Sequence, residues 1–343
     1  MGRPGRWQWL ADRRVRNVVL ALMASGAADG FLPIALSFAV LQVTGSAGQL
    51  GLALAAQSAT ALLLTLAGGL AGDRFAHGRV LSVSLAIRMA VATVLAATLL
   101  TGNASFALLL TMAAAYGCAD GFFGPASAAL LPEVVPRDRL ALANALVGGS
   151  ASALRIAAPA AAGLIVAALG PGSAFAFQSA VLAGAVGCLA AAGLSPGTND
   201  RPAPASPLSQ LRAGWAEFAR RRWLWLLTGE WAVFSLVILA PVAVLGPPIA
   251  LHDLGGAAAW GVINSCLSAG AVGGQIVAGR ARLPARPALV LACLVPVMTA
   301  EAMALGLGAP LPAVAAATAA SGVAFGVQAV IFPTAMQSTV PPE

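Results

Sequence analysis

Ten stretches of this sequence run for about 20 residues or more with almost no charge, and a chain built that way has few folds open to it. An α-helix of that length rises about 30 Å, the thickness of a bilayer's hydrocarbon core. Inside hydrocarbon every backbone N–H and C=O must be satisfied by the protein itself, which leaves helices or a closed barrel. Barrel strands would read as alternating segments of about ten residues, and these runs are longer and continuous. The spans predicted are 16–42, 48–71, 80–100, 105–131, 141–169, 173–194, 223–247, 257–279, 287–307 and 311–337. Charged residues are only 9% of the chain, far below the roughly 25% of a soluble domain. The expected fold class is therefore an all-α integral membrane protein.

The net charge of +7 suggests a nucleic-acid partner only until the charges are placed. Every basic residue is an arginine, and seventeen of the nineteen lie on one side of the predicted spans. They precede the first span (Arg3, Arg6, Arg13, Arg14, Arg16) or follow the second (Arg74, Arg79), the fourth (Arg137, Arg139), the sixth (Arg201, Arg212, Arg220 to Arg222) and the eighth (Arg280, Arg282, Arg286). The opposite connections, such as TGSAG (44–48) and TGNAS (101–105), carry none. By the positive-inside rule the amino terminus and all five arginine sets face the cytoplasm, giving a multi-pass protein of the cell membrane. The first apolar run is too long for the core of a cleaved signal peptide and reads as a retained helix.

Three segments follow: a six-helix half at 1–194, a cytoplasmic linker at 195–222 and a second half at 223–343. The linker begins Pro-rich, SPGTNDRPAPASP, and continues with Leu208, Leu211, Trp215 and Phe218 at helical spacing against arginines. That pattern predicts an amphipathic helix on the membrane face.

The halves repeat. Gly69 in GGLAG and Gly274 in GQIVAG are 205 residues apart, and so are Pro136 in VVPRD and Pro341 in TVPPE. Within the first half, Ala28-Asp29-Gly30-Phe31 returns as Ala119-Asp120-Gly121-Phe122. Both aspartates fall near mid-membrane on spans of opposite direction, as in nested inverted repeats of transporters.

A charge at the bilayer centre costs about 2.5–3.5 kcal/mol on insertion scales, so embedded charges are candidates for function. Six qualify: Asp29, Arg88, Asp120, Arg155, Glu230 and Glu301. A carboxylate placed between burial, which disfavours its charge, and an arginine, which favours it, suits proton exchange. Arg88 and Asp120 share a depth, so Asp120 reads either as a proton or substrate site or as a static ion pair with Arg88. Glu230 lies near the cytoplasmic end, where it can snorkel; the role of Glu301 is open. Cys118, Cys188, Cys266 and Cys293 lie in apolar runs without metal spacing, so no metal site and no cofactor is expected. His77 and His252 fall in predicted loops on opposite sides. No catalytic triad, HExxH, P-loop or dinucleotide fingerprint is present, so an enzyme is not expected.

The phrase GGLAGDRFAHGRV resembles the loop between the second and third helices of the major facilitator superfamily, of general form G-x-x-x-D-R-x-G-R-R/K. ADGFFGPASAALLPEVVPRDRLALANAL resembles the fourth helix and start of the fifth in its prokaryotic drug and metabolite exporters, including the enterobactin-exporter-like group. RIAAPAAAG (155–163) resembles the fifth-helix antiporter motif G-P-x-x-G-G around Ala158, Pro159 and Gly163, with Ala158 and Ala162 where glycines are usual. The spacing between Arg74 and Arg79 departs from the general form, and the second-half equivalent of Asp73 is Ala278.

The resemblance implies two six-helix halves that rock about a mid-membrane site, with about ten of twelve helices present here and the last two missing. It implies that Gly69, Asp73, Arg74 and Arg79 govern conformational switching. It also implies that helices one, four, seven and ten line the cavity. The counterparts of Asp29 and Asp120 at an offset of 205 are Phe234 and Phe325, which predicts an acidic wall facing an apolar one and favours cationic or proton-exchanging substrates. The expected function is proton-coupled export of small organic molecules by a monomer, with no nucleic-acid partner. An uptake carrier, a uniporter and a transport-inactive sensor or scaffold remain alternatives.

Overall fold

The computed structural model describes residues 11–74, 76–136, 139–193, 215, 219, 222–280 and 287–339. Ten helices among them are long and apolar enough to cross a membrane. They are α1 (Arg13–Thr44), α2 (Ala47–Arg74), α3 (His77–Leu100), α4 (Phe106–Val134), α5 (Leu140–Leu169) and α6 (Pro171–Ala191), then α7 (222–254), α8 (Ala257–Arg280), α9 (287–306) and α10 (Leu311–Thr339). The predicted spans fall on these helices, one to one.

Helix ends follow local chemistry. Asp12 caps α1 by accepting from the Arg14 N–H at 2.8 Å, and Ser105 caps α4 by accepting from Leu108. At the far end of α1, Gly45 adopts φ 64° and its N–H returns to the Leu41 carbonyl. That left-handed turn is open to glycine at no steric cost, which lets a two-residue connection reverse the chain. Pro33 sits inside α1, and one turn on the Ser37 hydroxyl donates to the Pro33 carbonyl at 2.7 Å.

Two helices depart from the single spans expected. The seventh does not stop at 247: π-helical turns at Ser235–Leu239 and Ala250–Leu254 carry it past Pro247 and Pro248. His252 is therefore helical rather than in a loop. The ninth breaks at Thr299, three residues after Pro296, into Pro287–Met298 and Ala300–Gly306. Proline has no N–H to donate and crowds the preceding turn, which weakens the helix there.

Packing rests on small residues. A Cβ at Gly117 or Gly121 of α4 would collide with the carbonyls of Gln57 or Ala61 on α2. A Cβ at Gly322 or Gly326 of α10 would collide with those of Leu267 or Ala271 on α8. Both are small-xxx-small crossings, which permit close backbone approach where lipid supplies no hydrophobic drive. The two glycine pairs are again 205 residues apart, so the internal repeat extends to the way the helices pack. Between the halves α5 lies on α8, where Gly163 and Gly261 face each other, and α2 meets α7 at Gly51 and Val244. These contacts are at the end of the bundle away from the arginines.

Candidate functional site

Arg88, on α3, is the centre of the only group of buried ion pairs among the described residues. Its Nη1 donates to the Ser25 hydroxyl at 2.9 Å and its Nη2 to Asp29 Oδ1 at 2.6 Å, both on α1. The same Nη2 lies 2.5 Å from Asp120 Oδ1 on α4, as an ion pair without the alignment of a hydrogen bond. The guanidinium is sandwiched between rings of α4, 4.9 Å from the centroid of Tyr116 and 4.5 Å from that of Phe123. Cation–π attraction of this kind strengthens as water is excluded. From α6, Gln178 donates to the Tyr116 hydroxyl at 3.2 Å and to the Ala28 carbonyl at 3.0 Å.

The pairing of Arg88 with Asp120 expected from depth is present, but it is part of a three-helix cluster with Asp29. One guanidinium contacts both carboxylates and balances one of their two charges, so the acidic wall expected from the sequence is engaged but keeps one net negative charge. The aspartates are not equivalent: the Asp29 side chain is 42% exposed and that of Asp120 28%. Sequence reasoning does not single out Ser25 and Tyr116, although each stands four residues before its aspartate, on the same helix face. Tyr116 is also the chain's one tyrosine.

Two cavities adjoin beside this cluster. One, about 550 Å³, is lined by Gly26, Asp29, Gly148, Ser152, Arg155 and Gln275. The other, about 510 Å³, is lined by Arg155 and Gln275 again, with Glu230, Trp231, Phe234, Met298, Phe325 and Phe332. Trp231, Phe234 and Phe325 form an aromatic cluster, with centroids 5.6 Å apart for Trp231–Phe234 and 5.9 Å for the edge-on pair Phe234–Phe325. The apolar wall expected at the counterparts of the aspartates is thus present on α7 and α10. Glu230 and Gln275 stand near the arginine-bearing ends of α7 and α8, so the cavity reaches toward that face.

Arg155 is exposed at the junction of both cavities and, among the described residues, has no ion-pair partner. Ala158 and Pro159 are buried, and Ala158 lies against Gly30 of α1. Glu301 is buried on α9, outside both cavities, and its backbone N–H donates to the Ser321 hydroxyl at 3.3 Å. His77 is not an isolated loop residue. It opens α3, is buried, and its Nδ1 is 2.8 Å from Glu133 Oε1 on α4. Arg79 is exposed two residues on, and Gly69 is helical backbone in α2. The side chains of Asp73 and Arg74, and the amphipathic pattern at 208–222 apart from isolated positions, lie outside the described residues.

The Major Facilitator Superfamily model matches residues 18–343. No curated protein sequence matches the chain. Among solved structures, a point mutant of the nucleoside transporter NupG aligns with a TM-score of 0.74 at 11% identity, over 96% of this chain and 84% of that one. A D-xylose-proton symporter aligns with a TM-score of 0.63 at 13% identity, over 91% of this chain and 80% of that one. A bacterial homolog of the human lysosomal transporter Spinster, inward-facing and occupied, aligns with a TM-score of 0.65 at 13% identity, over 99% and 76%. At such identities the likeness is one of fold.

Proposed function

This chain belongs to the Major Facilitator Superfamily and is a transporter rather than an enzyme; from that premise we propose that it is a proton-coupled exporter of small organic molecules. The observation that carries this reading is the Asp29–Arg88–Asp120 cluster at the edge of a cavity that Asp29 lines together with Arg155 and Gln275. A proton arriving on Asp29 or Asp120 removes one carboxylate charge from Arg88. That changes the attraction holding α3 to α1 and α4 at mid-membrane. A carrier whose helix contacts depend on protonation in this way couples proton movement to rocking of the halves. The arginine asymmetry supports a cytoplasmic opening in the cell membrane, with the conformation facing inward. Asp73, Arg74 and Arg79 would govern switching at that face, and the α5 segment around Pro159 and Gly163 supports export.

Uptake is the second reading, favoured by the same inward cavity, since symport and antiport share it. The test is substrate-induced proton movement in inside-out vesicles under an imposed proton gradient. Export by antiport predicts proton release with wild type and its loss with Asp120→Asn or Asp29→Asn at normal insertion. Proton movement of the opposite sign would favour symport, and a signal unchanged in both variants would make the cluster structural.

A further inference from the structure

Among the described residues, Arg88 and Arg155 are the two guanidiniums in the middle of a predicted span, and their surroundings differ. Arg88 is enclosed by two carboxylates, a hydroxyl and two rings. Arg155 faces both cavities with no carboxylate partner among the described residues. A charge in apolar surroundings is retained at a cost unless something pairs with it, and a guanidinium's planar fork suits a carboxylate held by two N–H groups. Gln275 lines both cavities with Arg155.

Next to Arg155 is an aromatic chamber of about 510 Å³, a size that accepts a drug-like molecule. Phe234 and Phe325 meet edge-on, and Trp231 also stands edge-on to Phe325 at 6.0 Å, so ring faces and edges are both presented to an occupant. The negative charges nearby limit what that occupant can carry. Asp29 and Asp120 are already engaged by Arg88. Glu230 is, among the described residues, the one carboxylate lining the aromatic chamber, where it would repel a second negative charge.

We propose that this cavity takes lipophilic aromatic monoanions, with the ring system among Trp231, Phe234 and Phe325 and the single anionic group on Arg155. The assignment rests on the cavity being the transport site proposed above, and it separates two tasks. Substrate charge is read by Arg155, and proton exchange stays with the Arg88 cluster. Engagement of Asp29 and Asp120 with Arg88 leaves one net negative charge there, which weakens the preference for cationic substrates expected from an acidic wall.

The test is binding to the purified protein in lipid nanodiscs, by calorimetry, of a matched naphthalene series. Its members are naphthylacetate, naphthylethylammonium, naphthylethanol and a naphthalene dicarboxylate. Naphthylacetate should bind about tenfold more tightly than the other three, the gain expected for one charge-assisted contact. Arg155→Gln should erase that preference, Arg155→Lys should keep part of it, and Phe325→Ala should weaken naphthylacetate and naphthylethanol alike. Preference for the ammonium, an acetate preference that survives Arg155→Gln, or no binding by any member overturns the assignment. Selective binding of naphthylacetate without proton-linked flux would instead overturn the transport reading and leave the ligand class standing.

Discussion

Arg88 Nη2 donates to Asp29 Oδ1 at 2.6 Å, tying the middle of α3 to the middle of α1. Asp120 brings α4 to the same nitrogen, so three helices of the first half share one cation. Taking one partner from such a group leaves charge without compensation where water is scarce, which costs more than the pair contributes when intact.

Arg88→Met should therefore destabilise the protein by about 3 kcal/mol, toward the low end for buried pairs because Asp29 is partly open to the cavity. Adding Asp29→Asn and Asp120→Asn to Arg88→Met should recover most of the loss, since no uncompensated carboxylate then remains. Thermal unfolding in detergent checks both. A triple variant less stable than Arg88→Met would mean that the carboxylates stabilise the bundle in some other way.

Gly163 and Gly261 carry the crossing of α5 and α8. A Cβ at Gly163 would meet the Ala257 carbonyl, whereas one at Gly184 on α6 meets nothing. Gly163→Val should cost about 1–3 kcal/mol through overpacking. It should also raise reagent access to the cavity from the uncharged face, because it wedges the halves apart there. Gly184→Ala should leave both measurements at the wild-type value. Unfolding midpoints, together with labelling of a cysteine placed at Ser152, decide between these outcomes.

His77 and Glu133 join the ends of α3 and α4 at the arginine-bearing face. The Glu133 side chain is 37% exposed, so solvent screens the pair. Glu133→Gln should change stability by less than about 1 kcal/mol, as expected for pairs in contact with water. A loss above about 2 kcal/mol in the same unfolding assay would show that the contact is far drier than its exposure implies.

Orientation is open to a direct check in a background where Cys118, Cys188, Cys266 and Cys293 are replaced. A cysteine at Ser46 should react with an impermeant maleimide in intact cells, and one at Arg79 only after the membrane is opened. The reverse pattern would place the arginine-bearing face outside and end the export reading as proposed.

Much of this architecture was legible without coordinates. Membrane partition depends on each residue's own cost of transfer, so ten apolar runs define span number and length, and seventeen one-sided arginines carry the expected direction. The 205-residue repeat likewise placed Phe234 and Phe325 opposite the aspartates. Pro296 was visible too, but whether a proline kinks, breaks or is absorbed depends on its neighbours, as the continuous helix through Pro247 and Pro248 shows.

What only the tertiary structure decided is which side chains meet. A helix in lipid is apolar all round, so no polar stripe says which face turns inward, and depth alone cannot set rotation about the axis. Glycine crossings at Gly117 and Gly121 constrain that rotation for α4 against α2, and those at Gly322 and Gly326 for α10 against α8. With α4 so turned and α1 and α3 packed against it, Asp29, Arg88 and Asp120 converge, while Arg155 is left facing the cavity. The sequence by itself determined that these charges fall within apolar spans; the packing of the helices decided which of them are spent on one another and which arginine, among the described residues, is left without an ion-pair partner.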